Sequence, residues 1–179
     1  MSIRFDPERH TSPETSELTQ IQTILQRLHS TLERDQVVQS ITDELRNFLQ
    51  VNRVVLYYFF REWEGRVTFE SLSDQTFSIL GSTGPDECFN EEYAQLYLEG
   101  RVRAIADIKA EAIAPCHREF LQQLRVRANL VVPILTQKGL WGLLVAHHCK
   151  STKDWSAADI EQMKQGALKL ANASSIRTN

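Results

Sequence analysis

Cys116 follows Pro115 and precedes His117 in the stretch APCHREFL. A cysteine placed after a proline at the start of a helix meets unsatisfied backbone N–H groups, which stabilise a thiolate. The adjacent histidine adds positive charge or relays a proton, so the pair suits nucleophilic attack. The same spacing also suits a small core cysteine beside a surface histidine. A second thiol, Cys88, lies in PDECFNEEY at 85 to 93, with Asp86 two residues before it and Phe89 next to it. Nearby negative charge raises a thiol's pKa, which makes Cys88 the poorer resting nucleophile; Asp86 is equally suited to an ordinary turn. Arg101 and Arg103 stand two apart on an expected strand and would face one way, as a clamp for carboxylates or phosphates or as a solvated face. His147 and His148 should point to opposite faces of theirs, so one meets the packed side or a pocket. Together these residues describe a pocket for a large conjugated ligand with carboxylate arms, held covalently.

The remaining composition narrows the field. At 179 residues the chain suits one domain that buries roughly 70% of its unfolded surface. A net charge of −3 with interspersed signs offers no basic patch, so nucleic acid is not an expected partner. Apolar runs such as NLVVPIL are far too short to cross a bilayer, and the N-terminus lacks a signal-peptide core; the cytoplasm is the expected location. Three cysteines make no disulfide scaffold, and the cysteines are expected to be reduced. No CxxC or HExxH spacing supports a metal.

The positioning elements follow from periodicity. Residues 1–14 read as a polar tail and 15–175 as one domain. From Thr15 a helical period carries Leu18, Ile21, Leu25, Leu28 and Leu32; Asp35 interrupts it, and Val38, Ile41 and Leu45 resume it. NRVVLYYFF and RVTFESL read as hairpin strands turning near Glu64-Gly65. Asn90 is placed to cap a helix bearing Tyr93, Leu96 and Tyr97, which Gly100 stops. RVRAIADI reads as a strand and Cys116 to Leu124 as a helix. ANLVVPIL and LWGLLVAHHC form a hairpin about Lys138-Gly139. The last helix opens at Ser156 with Asp159 in a capping-box pair. This order predicts an α+β sandwich: a central, mostly antiparallel sheet with helices packed on it, the first and last helices side by side.

PDECFNEEY, YLEGRVRAIADI, APCHREFLQQLRVRANLVVPIL and LWGLLVAHHC, in that order, closely resemble the chromophore-binding GAF domain of cyanobacteriochromes, relatives of phytochromes, from about Leu18 to Ala173. DECF at 86 to 89 resembles the Asp-x-Cys-Phe signature of the two-cysteine subgroup. The resemblance implies a GAF fold and a linear tetrapyrrole (bilin), phycocyanobilin or phycoviolobilin, joined by thioether to Cys116 without a separate enzyme. It implies that His117 packs on the inner pyrroles, Asp86 accepts from pyrrole N–H groups, and His147 lies near the D-ring carbonyl. Arg101, and after it Arg103, would clamp a propionate, and Tyr97 would line the pocket. Cys88 would add reversibly to the central methine bridge, giving a blue-absorbing state and, after Z/E isomerisation of the D-ring double bond, a green-region state. Gly84 precedes the DECF, where red/green members tend to have a tryptophan, which favours the two-cysteine cycle.

No kinase, cyclase or methyl-accepting pattern is seen, so the output is expected from another domain of a larger signalling protein, and the amphipathic terminal helices offer a homodimer interface or simply cover the sheet. Two other readings compete. A GAF module that binds a cyclic nucleotide needs neither paired cysteines nor Asp-x-Cys-Phe, and a thiol-dependent sulfoxide reductase needs a resolving cysteine pair.

Overall fold

One aspartate splits the N-terminal helical run in two. The Asp35 backbone is extended and its Oδ1 accepts from the N–H groups of Val37 and Val38 at 3.0 and 3.4 Å, so a new helix begins there. The structure, a computed structural model, describes residues 13–84 and 91–179. Helix α1 (Pro13–Arg34) thus gives way to α2 (Gln36–Leu49), which is followed by strands β1 (Arg53–Arg61) and β2 (Glu64–Leu72). A short 3-10 turn (Gln75–Phe77) leads on to α3 (Glu91–Leu98), β3 (Arg103–Ile105) and α4 (Pro115–Gln123). The chain then runs through β4 (Ala128–Thr136), β5 (Gly139–His148), α5 (Ala157–Ala171) and α6 (Ser174–Arg177).

The five strands form one sheet in the order β2-β1-β5-β4-β3, every neighbouring pair antiparallel. Side chains alternate across a strand, so the two faces read separately from the sequence. Val54 and Leu56 of β1, Leu130, Val132 and Ile134 of β4, and Leu144 and Ala146 of β5 point to one face. There they meet Leu28 and Leu32 of α1, Val38, Ile41, Leu45 and Leu49 of α2, and Met163, Ala167 and Leu170 of α5. This is the main core. The opposite face carries Val55, Val67, Val131, Leu143 and Val145 with Tyr97 of α3, and it borders the cleft described below.

The expected α+β sandwich is therefore present, with three local differences. The β1–β2 turn falls at Glu62-Trp63, with Trp63 at φ 65°, and Gly65 is already inside β2. The strand read from RVRAIADI is only three residues long, because Asp107 turns the chain: it accepts from the Lys109 N–H at 2.9 Å and pairs with Arg127. The helix read from Thr15 already includes Pro13, inside the expected tail; residues 1–12 lie outside the described residues, as does Asn90. Gly100 and Gly139, at φ 88° and 115°, close α3 and the β4–β5 turn as expected.

The chain ends meet through Asp35. Its Oδ2 accepts from the Ser175 hydroxyl at 2.6 Å and from the Ser175 N–H at 3.3 Å, fixing α6 beside the α1–α2 junction. At the start of α5 the Ser156–Asp159 capping box forms reciprocally. Burial alone would raise the Asp35 pKa, but these hydrogen bonds outweigh it and hold the carboxyl below its ordinary 3.8. A depressed carboxyl stabilises the fold fully above its unfolded-state value, and the contribution is lost as pH falls through the folded-state value. Asp35→Ala should accordingly lower unfolding free energy by about 1–2 kcal/mol in urea titrations at neutral pH, and the gap to wild type should narrow below pH 3.8.

Candidate functional site

The second face of the sheet is only partly covered. Between it and α3, α4 and the segments after β2 and β3 lies a cleft of about 1150 Å³, its open mouth included. Its floor is set by register. Arg53 of β1, His147 of β5 and Asn129 of β4 stand in one row across three strands; Val55, Val145 and Val131 form the next row, and Tyr57, Leu143 and Pro133 the one after. One end of the floor is thus polar and the rest apolar.

The polar row is tightly organised. Arg53 is fully buried; its Nε donates to His147 Nδ1 at 2.9 Å, and its terminal nitrogens donate to the Phe77 and Leu124 carbonyls at 2.8 and 2.6 Å. His147 is 4% exposed and lines the cleft. Burial first, and the Arg53 charge second, hold its pKa well below the ordinary 6.5, so it is neutral at physiological pH. Asn129 is 3% exposed and also lines the cleft, and its Oδ1 is buried with no hydrogen-bond partner among the described residues. Such an orphan costs about 1–3 kcal/mol, which a bound donor would relieve.

The walls bring together most of the residues singled out from sequence. Arg101, Arg103, Tyr97, His117 and His147 all line the cleft. Arg101 precedes the short strand instead of lying on it, yet it reaches the same space; it makes no salt bridge among the described residues, and its guanidinium lies 5.7 Å from the Tyr93 ring centre. Arg103 is paired to Glu111 at 3.3 Å, leaving Arg101 the less committed cation. Burial, then the charge of Arg103, lowers the His117 pKa, which keeps this imidazole neutral as well. Tyr97 is 6% exposed, and burial pushes its hydroxyl pKa up to about 12. His148 points away from the cleft and accepts from the Ser151 N–H at 3.1 Å. Asp86 and Cys88 lie outside the described residues.

Cys116 is the second residue of α4, behind Pro115, as the sequence suggested. It is exposed at the rim, between the cleft-lining residues Ala114 and His117. The expectation of a free thiol is corrected: Cys116 is disulfide-bonded, so it must be reduced before it can act as a nucleophile. Cys149 is the free thiol among the described residues, and burial raises its pKa, which disfavours its thiolate.

Sequence reasoning missed Arg53, Asn129 and Tyr57. The signal was present for the first two: Arg53 opens the apolar run of β1 and Asn129 stands within that of β4, and a polar residue in such a run is informative because burial demands a partner for it. Tyr57 is keyed by glycines. Its hydroxyl accepts from the Gly84 N–H at 2.8 Å, and a Cβ on Gly84 would lie 2.5 Å from that oxygen; a Cβ on Gly65 would overlap the ring. The wall at Gly84, immediately before residues 85–90, is therefore shaped by what Tyr57 allows.

Comparison with known proteins agrees with this geometry. A family model described as GAF domain matches residues 33–173. An uncharacterized protein of Picosynechococcus sp. is 53% identical over 82% of this chain and 90% of its own length. The circadian input-output histidine kinase CikA of Synechocystis sp. is 28% identical over 86% of this chain, which spans only 24% of that kinase. Among solved structures, the blue-light absorbing form of the Thermosynechococcus elongatus PixJ GAF-domain superposes with a TM-score of 0.69 at 31% identity, covering 78% of this chain and 85% of that one. A phycocyanobilin-bound GAF domain from a cyanobacterial phytochrome superposes with a TM-score of 0.65 at 27% identity, covering 84% and 93%.

The fit between Tyr57 and Gly84 can be measured. Gly84→Ala should destabilise by about 1–3 kcal/mol through overpacking. Tyr57→Phe removes the obstructing oxygen and should recover part of that loss, so a double-mutant cycle in urea should return a coupling of at least about 0.5 kcal/mol.

Proposed function

Because the chain belongs to the GAF domain family, we propose that it is a light-sensing domain that holds a linear tetrapyrrole covalently through Cys116. The observation that carries this reading is the position of the Cys116–His117 pair. Ala114, two residues before the cysteine, and His117, the residue after it, both line the cleft. The known proteins with this fold include the phycocyanobilin-bound phytochrome domain, and the residues here suit such a ligand. The apolar rows of the floor match the faces of planar rings, the orphaned Asn129 Oδ1 awaits an N–H, and Arg101 is positioned for a carboxylate arm. Bound there, the pigment supplies visible absorption and a double bond that light can isomerise.

The chain's own residues supply attachment, orientation and shielding. Reduced Cys116 at the α4 N-terminus gains thiolate character from the helix's free N–H groups and provides the sulfur of the thioether. Arg101, with Arg103 as the second cation, neutralises propionate arms at the cleft wall. His117, kept neutral by burial, packs against inner rings without adding a charge. His147 presents a neutral imidazole to the far end of the ligand. Asp86 accepts from pyrrole N–H groups. Cys88 would supply a thiolate whose C–S bond to the central methine carbon of such a pigment gives a blue-absorbing state, and would leave again as thiolate in a green-region state reached with Z/E isomerisation of the D-ring double bond. Phycocyanobilin or its isomer phycoviolobilin is the ligand. The chain acts as a sensor and not as an enzyme turning over a substrate, and it passes its state to an output domain of a larger signalling protein.

Coexpression with bilin-making enzymes tests the reading. Wild type should carry colour that survives a denaturing gel as zinc-enhanced fluorescence, and Cys116→Ala should carry none. Cys88→Ser should keep the attached pigment and lose the blue band. A wild-type protein that stays colourless under reducing conditions and binds a cyclic nucleotide instead would replace this reading with the nucleotide-binding one.

A further inference from the structure

A second, smaller cavity of about 340 Å³, its open mouth included, lies at the turn end of the β4–β5 hairpin and shares no lining residue with the cleft. Tyr58, Thr136, Lys138, Trp141 and Asn179 are among the residues that line it. Trp141 reaches this place through a break in the strand pattern. Leu143 and Val145 lie on the cleft face, and alternation alone would put Trp141 with them. Instead the β4–β5 register slips between Ile134 and Leu135, and Trp141 packs with Leu144 and Ala146 on the helix-covered face. A bulge of this kind re-aims a side chain. The strand is held close to β1 here, since a Cβ on Gly142 would lie 2.1 Å from the Tyr57 carbonyl oxygen.

The re-aimed indole lacks an acceptor. Trp141 is 5% exposed, and its Nε1, which can only donate, is buried with no hydrogen-bond partner among the described residues. Tyr58 stands beside it, the ring centres 5.0 Å apart. Burial raises the Tyr58 pKa, so its hydroxyl keeps its proton at neutral pH, and it too makes no hydrogen bond among the described residues. Opposite Tyr58 in the β1–β2 pair is Arg66, whose Nε is likewise buried and unpartnered among the described residues. Lys138 adds an ammonium that donates to the Asn179 backbone oxygen at 3.3 Å. Nearby acceptors are already engaged. The Thr136 hydroxyl donates to the Gly139 carbonyl at 3.3 Å and accepts from the Lys138 N–H at 3.2 Å. Glu17 and Glu64 both pair with Arg61, at 3.0 and 4.0 Å. Donors and positive charge therefore exceed what the chain supplies to meet them.

We propose that this cavity binds a small oxyanion, a carboxylate or phosphate group, which accepts from the Trp141 indole N–H and the Tyr58 hydroxyl and pairs with the Lys138 ammonium. Hydrogen bonds to an ionised acceptor are about twice as strong as neutral ones, and no side chain lining the cavity is a carboxylate that would repel the ligand. Arg66 does not line the cavity; one strand further along the same row, it adds positive potential. The site is separate from the cleft, and neither it nor the pigment reading depends on the other.

The test titrates the full chain with sodium acetate and, separately, with inorganic phosphate at constant ionic strength, while nitrogen-15 NMR follows the indole N–H groups. The Trp141 signal should move downfield and saturate, with its midpoint at about 1–10 mM. The Trp155 signal should stay in place, because its Nε1 already donates to the Ile105 carbonyl at 3.0 Å. Lys138→Ala and Tyr58→Phe should each weaken binding about tenfold, the ratio one hydrogen bond to a charged group gives. Tighter binding of acetate identifies a carboxylate ligand, and tighter binding of phosphate a phosphoryl one. A Trp141 signal that has not saturated by about 100 mM, or that moves together with Trp155, overturns the proposal. So does unchanged affinity in Lys138→Ala, which alters an exposed turn residue and leaves the core intact. Should Tyr58→Phe not fold, the wild-type titration and Lys138→Ala decide.

Discussion

The fold is closed around one buried charge. Arg53 sits at the start of β1 with no exposed surface, and its guanidinium is solvated by two carbonyls and an imidazole instead of a carboxylate. Burying an ion costs several kcal/mol unless its donors are met. The three bonds reach three separate segments: the 3-10 turn after β2, the end of α4, and the end of strand β5. The loop and helix that frame the polar end of the cleft are thus fastened to the sheet through a single side chain. Removing it would strand two carbonyls and release both walls together.

The sheet divides the molecule into two unlike halves. On the face covered by α1, α2 and α5, apolar side chains close-pack and leave little for chemistry. On the other, α3 and α4 stand back from the strands and leave the cleft. Burial there disfavours the charged forms: His147 and His117 are held neutral, and Tyr97 resists ionisation. Asn129 has an acceptor with no partner among the described residues. Tyr57 contributes shape as well as a hydroxyl, since Gly84 and Gly65 must lack side chains for its ring to lie where it does. The polar and the apolar ends of one floor together favour a ligand that is flat along most of its length and hydrogen-bonding at its end.

Most of the fold was legible in the chain because it depends on local rules. Alternation in NRVVLYYFF and LWGLLVAHHC sorted their residues between the two faces, and Asp35, Gly100, Gly139 and Ser156 marked boundaries through caps and left-handed turns that act over four residues. Where a competing local interaction intervened, the reading slipped: Asp107 cut β3 short, and the β1–β2 turn came two residues early. Arg101, Arg103, His117 and His147 were recognisable as pocket candidates by type and spacing, with the family resemblance supplying their roles and adding Tyr97, which the pattern alone placed on a helix's apolar stripe.

What the amino-acid order determined by itself was the sequence of elements, the face each strand residue occupies, and the residue types available to a site. What only the tertiary structure decided was adjacency. Arg53, Asn129 and His147 are separated by 76 and 18 positions, and no periodicity links them; they become one row because β5 pairs between β1 and β4. Strand order, and with it which lone polar residues meet, is set by long-range packing of the whole sheet, and hydrogen bonds between residues so far apart leave no trace in local pattern.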